Sequence, residues 1–454
     1  MPSATLSRWT MSYFAAALLF LVAGQAMMSL GFGYPAVEPG APETLVLVHT
    51  LTIGWLGLLM NGALLQFVPV LVARPLCGGH LAFPALVLLV TGLLCLLSGF
   101  AAQASGTGWA VYHLPAGAGL LALGFSLLIG IFAVTLWRAR PLPLSARFVV
   151  VGLASLSGTV AFGASFTLTL SGLSQGDPAV ALLINGVSSH AILGLGGWMT
   201  FTAMGVSYRL LAMFMLSPEN AQAKQRFVWW AGATALMMVA GAPPLVIALD
   251  AGAPGMLFVA AVLGFLALTV YGADVLRLYR GAKRRQMELN SRVSLGAYAA
   301  LIATIAIASI IAVAGPTNAG VAALTYMAVF GWLTGLGLAQ LYKIIPFLTW
   351  LECYGPILGR VPTPRVQDLV DERKATRWFM LFFAAVAVAT LALLAQQPTV
   401  FRLAALCQLV ATLCVILEFA RARRLAHVSI ILQLPGGAVR PNLFLPHMPT
   451  RRSP

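Results

Sequence analysis

Long apolar stretches separated by short polar segments run through this chain of 454 residues. A membrane-spanning helix needs about 20 consecutive, mostly apolar residues, and about twelve stretches meet that requirement. The pattern therefore predicts an all-α, polytopic membrane protein of about twelve transmembrane helices. The predicted helices cover residues 11–33, 44–72, 81–102, 110–137, 147–173, 186–215, 227–249, 255–279, 292–314, 320–350, 376–396 and 399–420.

Charged residues are few, and they occur in groups along the chain. Hydrophobic residues make up 60% of the chain and charged residues 9%, with 27 Lys and Arg against 12 Asp and Glu. The basic residues cluster in alternate loops, as they do in loops that face the cytoplasm. This placement predicts that both termini are cytoplasmic, including a polar tail over 426–454. The lipid bilayer is then the expected surroundings, and nucleic acid is not an expected partner.

A motif recurs in the second, sixth and tenth predicted helices, roughly a third of the chain apart. Repeated helix groups often place a site at the repeat interface. We therefore predict one transmembrane domain, 1–425, built from three four-helix units at about 11–140, 146–285 and 290–420. A simpler interpretation is that Gly allows close helix packing and Trp anchors the helix near a membrane interface. The motif consists of the pairs Gly54-Trp55, Gly197-Trp198 and Gly331-Trp332, each followed eleven residues after its Trp by Gln66, Arg209 or Lys343.

Three histidines share a membrane depth, near the outer ends of the second, fourth and sixth helices: His49, His113 and His190. Ionisable side chains in such positions are rare and usually functional. A neutral imidazole can bind haem iron or copper through one ring nitrogen. All three are therefore candidate cofactor ligands, with His190 and His113 as candidate metal ligands. The alternative for His113 is an interfacial histidine hydrogen-bonded to a loop.

The other histidines carry weaker signals. His80 lies in Cys77-Gly-Gly-His80, and two ligands do not make a metal site. His427 and His447 lie in the polar tail and are expected to be solvated. Arg209 and Lys343, near inner helix ends, are expected to extend their charged groups to the cytoplasmic surface.

These features resemble the catalytic subunit of the haem–copper oxidases, in which twelve helices form three groups of four with histidines on helices two and six. The chain is similar also to NnrS-type membrane proteins of the nitric-oxide response. The resemblance covers roughly residues 11–420. It rests on His49 with Gly54-Trp55, on Ser189-His190 through Gly197-Trp198 to Tyr208-Arg209-Leu210-Leu211, and on Tyr342-Lys343-Ile344-Ile345-Pro346-Phe347.

The resemblance implies haem b bound by His49 and copper near His190. The oxidases also use a histidine pair on helix seven and further histidines on helix ten, and residues 217–426 contain no histidine. A haem- or copper-binding membrane protein that lacks the full oxygen-reducing centre is therefore expected, and not a conventional oxygen reductase. Its setting would be a bacterial-type inner membrane, in respiratory or nitric-oxide-related redox physiology or in metal or haem handling, with respiratory or redox membrane proteins as partners.

Two other functions remain open on the sequence. A secondary transporter of a small solute also has twelve helices, repeats and few charges, with Arg209, Lys343 or Asp274 available for an anion or a proton. A non-catalytic assembly or sensor protein of the membrane is the third hypothesis. The sequence itself names no substrate and no redox partner.

Overall fold

The computed structural model describes residues 9–218, 222–250, 252–283 and 286–434. Twelve helices in this part of the chain are long and apolar enough to cross a membrane, and no β-strand is present there. The predicted all-α, polytopic membrane fold is confirmed. The twelve helices are α1 Thr10–Leu30, α2 Pro42–Val72, α3 Gly79–Ala104, α4 Ala110–Arg138, α5 Leu144–Leu170, α6 Asp177–Met215, α7 Gln222–Leu249, α8 Pro254–Arg280, α9 Leu289–Ala314, α10 Asn318–Ile357, α11 Glu372–Leu394 and α12 Pro398–Arg423.

Most helix ends lie within a few residues of the predicted ones, and α6 is the largest exception. It begins at Asp177, well before residue 186, with Pro178 in its first turn. Proline is favoured there because the first N–H groups of a helix have no intrahelical partner. Polar residues such as Asn185 lower the hydropathy of this first part, so an apolar window misses it.

The helices divide into two compact units, each described here by itself. Residues 37–287 form the α2–α8 unit, and residues 9–36 with 288–434 form the α1/α9–α12 unit. The division into three four-helix repeats stays a prediction.

Close packing in the α2–α8 unit depends on glycine where α3 meets α4. A Cβ atom added to Gly117 of α4 would lie 2.6 Å from the backbone nitrogen of Leu96 on α3. No side chain fits at that separation, so the two backbones approach each other because glycine is there. In the α1/α9–α12 unit, α12 packs against α1, α10 and α11.

The described start of the tail packs onto the connection between α10 and α11. Leu425 and Val428 join a buried cluster with Tyr354 and Leu369. The imidazole Nε2 of His427 lies 3.2 Å from a carboxylate oxygen of Glu418, and 21% of the His427 side chain is exposed. The expectation that His427 is solvated is therefore wrong, because a buried acid at the end of α12 binds it. His447 lies outside the described residues.

Candidate functional site

The helices that carry the Gly-Trp pairs share an unusual backbone. In α2, α6 and α10 the hydrogen bonding changes from α to π over Thr50–Gly57, Ile192–Phe201 and Met327–Thr334. A π-helix pairs residue i with i+5, is rare, and often occurs at functional sites. Each segment contains one Gly-Trp pair, so the three helices share a structural feature as well as a sequence motif.

The tryptophans of these segments point into the protein. Trp55, Trp198 and Trp332 are between 0% and 1% exposed. The interpretation of these residues as interface anchors is therefore wrong. The glycines explain the burial, because a Cβ at Gly197 would lie 2.4 Å from the hydroxyl of Ser155 on α5. A neighbouring helix packs directly on the motif and covers the indole beside it.

His49 directly precedes the π segment of α2. Its Nδ1 lies 2.8 Å from the backbone carbonyl of Leu45, one turn earlier. A carbonyl only accepts hydrogen bonds, so Nδ1 carries the hydrogen, and Nε2 of the neutral ring holds the lone pair. The ring packs on Phe100 of α3, with centroids 5.2 Å apart. Backbone and phenyl ring together orient an imidazole whose ligand atom is Nε2.

His190 has the same internal arrangement on α6. Its Nδ1 lies 2.9 Å from the backbone carbonyl of Thr159 on α5, so Nδ1–H donates and Nε2 holds the lone pair. Phe166 of α5 packs edge-on against the ring, with centroids 5.6 Å apart. Gly163 leaves room for it, because a Cβ there would lie 3.1 Å from His190 Cε1. The ring is thus held by groups on α5.

The fold brings His49 and His190 together. The π segments of α2 and α6, which begin within two residues of these histidines, pack against each other. Two imidazoles with the same tautomer therefore lie in one region of the α2–α8 unit. Each offers a nitrogen lone pair of the kind that binds iron, copper or zinc.

His113 faces another neighbour. Its Nδ1 lies 2.9 Å from the hydroxyl of Ser98 on α3, and that hydroxyl donates its own hydrogen to the carbonyl of Cys95. The ring also stacks on Trp109. Ser98 and Phe100 are two residues apart, which is about 200° around a helix, so His113 and His49 pack on different sides of α3. Over the described residues, no three His, Cys, Asp or Glu side chains gather as a metal site would require.

The charged residues considered for a transporter have local partners. Lys343 pairs with Glu288, and the Lys343 side chain is only 18% exposed. The expectation that Lys343 extends its charged group to the cytoplasmic surface is therefore wrong. Asp274, fully buried on α8, accepts a hydrogen bond of 3.1 Å from the Tyr208 hydroxyl and lies 3.3 Å from a guanidinium nitrogen of Arg277. These contacts link α6 to α8 and α9 to α10 at their basic ends. Arg209 is exposed.

Comparison with known proteins gives no family. A scan against protein-family models matches none, and a search of curated proteins finds no similar sequence.

Sequence reasoning missed the groups that hold the two rings, namely the phenyl rings of Phe100 and Phe166 and the carbonyl of Thr159. Apolar aromatics and backbone carbonyls give no signal in a membrane sequence, since both are found all along every span. Gly163 of α5, which lies opposite His190, gives no signal either, because it is one of 44 glycines in the chain.

Proposed function

We propose that this protein is a membrane metalloprotein that binds haem iron or copper through Nε2 of His49 and Nε2 of His190. The supporting observation is that both imidazoles donate Nδ1–H to a backbone carbonyl within one packed region. Metal-ligating histidines usually donate their other ring nitrogen in this way, which fixes the tautomer and orients the ring.

The donor atoms are of the kind that the proposed groups bind. Imidazole nitrogens suit both copper and haem iron. Iron or copper held there would supply one-electron redox chemistry and a binding position for a small ligand such as nitric oxide. The chain's own contribution is the orientation of two nitrogen ligands, with Phe100 and Phe166 packed beside them to limit contact with water.

The physiological role that we propose is respiratory or nitric-oxide-related redox work, or the handling of metal or haem in the inner membrane. It follows from the resemblance to the haem–copper oxidases, of which His49 and His190 match two ligand positions. The oxidases' further histidines have no counterpart in residues 217–426. Reduction of oxygen to water by the usual centre is therefore not part of the proposal.

The test is to purify the full chain in mild detergent and to measure bound iron and copper together with a reduced-minus-oxidised visible spectrum. We expect about one equivalent of metal per chain, with a haem b spectrum if the metal is iron. A colourless protein that contains no metal, and that takes up neither copper nor haem when they are supplied, would refute the proposal.

A secondary transporter of a small solute is the second candidate, and the buried Asp274 favours it. Acidic residues buried within membrane spans often mark proton pathways in pumps and transporters. Proton-coupled uptake in proteoliposomes tests it. Uptake that is abolished by Asp274→Asn and unaffected by His49→Ala would support transport over metal binding.

A further inference from the structure

Exposed arginines gather at one end of the α2–α8 unit, where α2 and α4 end and α5 begins. No Asp or Glu occurs from residue 44 to residue 176, and no ion pair among the described residues includes these arginines. Elsewhere carboxylates neutralise arginines near helix ends, as Asp274 does for Arg277. The arginine patch, as we name this group, consists of Arg74, Arg138, Arg140 and Arg147.

Two contacts join the connection between α2 and α3 to the last turn of α4. The backbone N–H of Cys77 donates to the hydroxyl of Thr135 at 2.9 Å. A guanidinium nitrogen of Arg138 lies 3.7 Å from the sulfur of Cys77. Arg74 is three residues before Cys77 in the same short connection. The connection that carries Arg74 is therefore held against the helix end that carries Arg138.

The other two arginines are oriented by neighbours that carry no charge. The Arg140 guanidinium lies over the indole of Trp137, with its central carbon 3.6 Å from the ring centroid, which is a cation–π contact. Arg147 donates through Nε to the backbone carbonyl of Leu142 at 3.3 Å. A guanidinium has five N–H donors, so each of these contacts leaves donors for a further partner and leaves the positive charge in place.

An apolar face of α4 leads up to the patch. Val134, Trp137 and Arg138 are three or four residues apart and therefore share a side of the helix. The side chains of Val134 and Trp137 are 44% and 64% exposed. This side of α4 is apolar within the span and cationic at its end. A phospholipid has the same order of groups along its length, with an apolar chain followed by a phosphate.

We propose that the arginine patch binds the headgroup phosphate of an anionic phospholipid, whose acyl chain lies along Val134 and Trp137. Guanidinium groups present paired N–H donors that match two oxygens of a phosphate. A span ends where lipid headgroups border the bilayer, so the patch and the phosphate share a level. The patch has no carboxylate to attract the cation of a zwitterionic headgroup. Phosphatidylglycerol is therefore favoured over phosphatidylcholine, and no metal is needed.

The test is native mass spectrometry of the full chain released from vesicles of equal parts phosphatidylglycerol and phosphatidylcholine with the same acyl chains. We expect phosphatidylglycerol to be retained in preference to phosphatidylcholine. Each basic residue near an anionic headgroup contributes about fivefold to binding. The variant Arg138→Gln/Arg140→Gln should therefore lower the preference by at least about tenfold.

A matched variant removes the same charge from arginines that carboxylates neutralise. In Arg292→Gln/Arg365→Gln the two replaced residues pair with Glu372 and Asp368, and we expect the lipid preference to stay within about twofold of wild type. If Arg138→Gln/Arg140→Gln does not fold, the single variant Arg74→Gln decides, with an expected loss of about fivefold.

The outcomes separate a specific lipid site from general attraction by net charge. A preference for phosphatidylglycerol that falls in the patch variants and persists in the matched variant supports the proposal. No preference in wild type overturns it. An equal loss in the patch variants and the matched variant, or a preference unchanged by the patch variants, also overturns it.

Discussion

The helices α2 and α10 place different side chains at the same point of the same backbone feature. In α2, His49 directly precedes the π segment Thr50–Gly57, and in α10, Tyr326 directly precedes Met327–Thr334. The imidazole gives its hydrogen to a carbonyl of its own helix and keeps a lone pair on Nε2. The Tyr326 hydroxyl instead donates to the side chain of Gln408 on α12.

This difference distinguishes the structural role of the π segment from the chemical role of the side chain that precedes it. A π segment with a buried Trp occurs in both helices, and it has a structural role in α10 whether or not a ligand is present. Only in α2 and α6 does the neighbouring ring retain a nitrogen lone pair that could bind a metal. The backbone feature marks the position, and the side chain decides the chemistry. The following changes test this comparison, beginning with the largest expected effect.

Replacing either ligand should remove the metal. His49→Ala and His190→Ala should each lower bound metal to less than about a tenth of the wild-type amount, because one imidazole alone is a weak site. Metal analysis and the visible spectrum measure this. His80→Ala, at an exposed position, is the matched control, and His113→Ala should also keep its metal because that ring bonds to Ser98. Full loss of metal in His113→Ala would show that the pair is not the site.

Moving His190 without replacing it should have a smaller effect. In Gly163→Ala the new methyl group would lie 3.1 Å from His190 Cε1 and would push the ring by a few tenths of an ångström. We expect metal affinity to fall by about tenfold, the lower end of the effects seen when a ligand's support is disturbed. Competition with a chelator of known affinity measures it. Gly119→Ala, where a Cβ meets no other atom within 4 Å, should leave the affinity unchanged.

The tyrosine of α10 should affect stability and not metal. Tyr326→Phe removes the donor to Gln408, whose amide nitrogen already lacks a partner among the described residues. Leaving a buried acceptor unsatisfied costs about 1–3 kcal/mol, so we expect a lower thermal midpoint with the metal content unchanged. Tyr112→Phe, at a side chain that is 68% exposed, is the control. A lower metal content in Tyr326→Phe would contradict the separation of the two roles.

The smallest effect concerns a helix cap outside the spans. Asp371 accepts hydrogen bonds from the backbone N–H groups of Lys374 and Arg373 at the start of α11, and the Lys374 bond is the main reason that its pKa lies below the usual value. The cap is fully effective above the ordinary carboxyl pKa of about 3.9, and is lost as pH falls through the lowered value.

Asp371→Asn keeps an acceptor oxygen but does not titrate in this range. Between pH 5 and pH 3, metal-free wild type should therefore lose about 1 kcal/mol more stability than the variant. Thermal midpoints at several pH values measure the difference, and Asp177→Asn, at the start of α6, corrects for general acid effects. Equal acid sensitivity of wild type and Asp371→Asn would mean that the cap does not contribute.

Sequence reasoning gave the spans because hydropathy over about twenty residues measures the property that a bilayer selects. It failed where a span is locally polar, as at the start of α6. The π segments were not predictable, because a change from i+4 to i+5 pairing depends on tertiary packing and leaves no hydropathy signal. The Gly-Trp pairs marked their positions, but their burial emerged only with the neighbouring helices in place.

The candidate site was predicted in part. Counting residues from a helix end gives the depth of a histidine, so His49, His113 and His190 could be assigned to one level. Which way each ring points depends on helix rotation and on the neighbour that it meets. The orientation of the rings distinguishes His113, which bonds to Ser98, from His49 and His190.

In the proposed site, His49 and His190 bind one metal together. X-ray absorption at the edge of the bound metal, recorded on the purified protein and on His190→Gln loaded with the same metal, tests it most directly. We expect two imidazole ligands in the wild-type spectrum and no more than one in the variant. The same number of imidazole ligands in both proteins would show that His190 is not a ligand and would contradict the account.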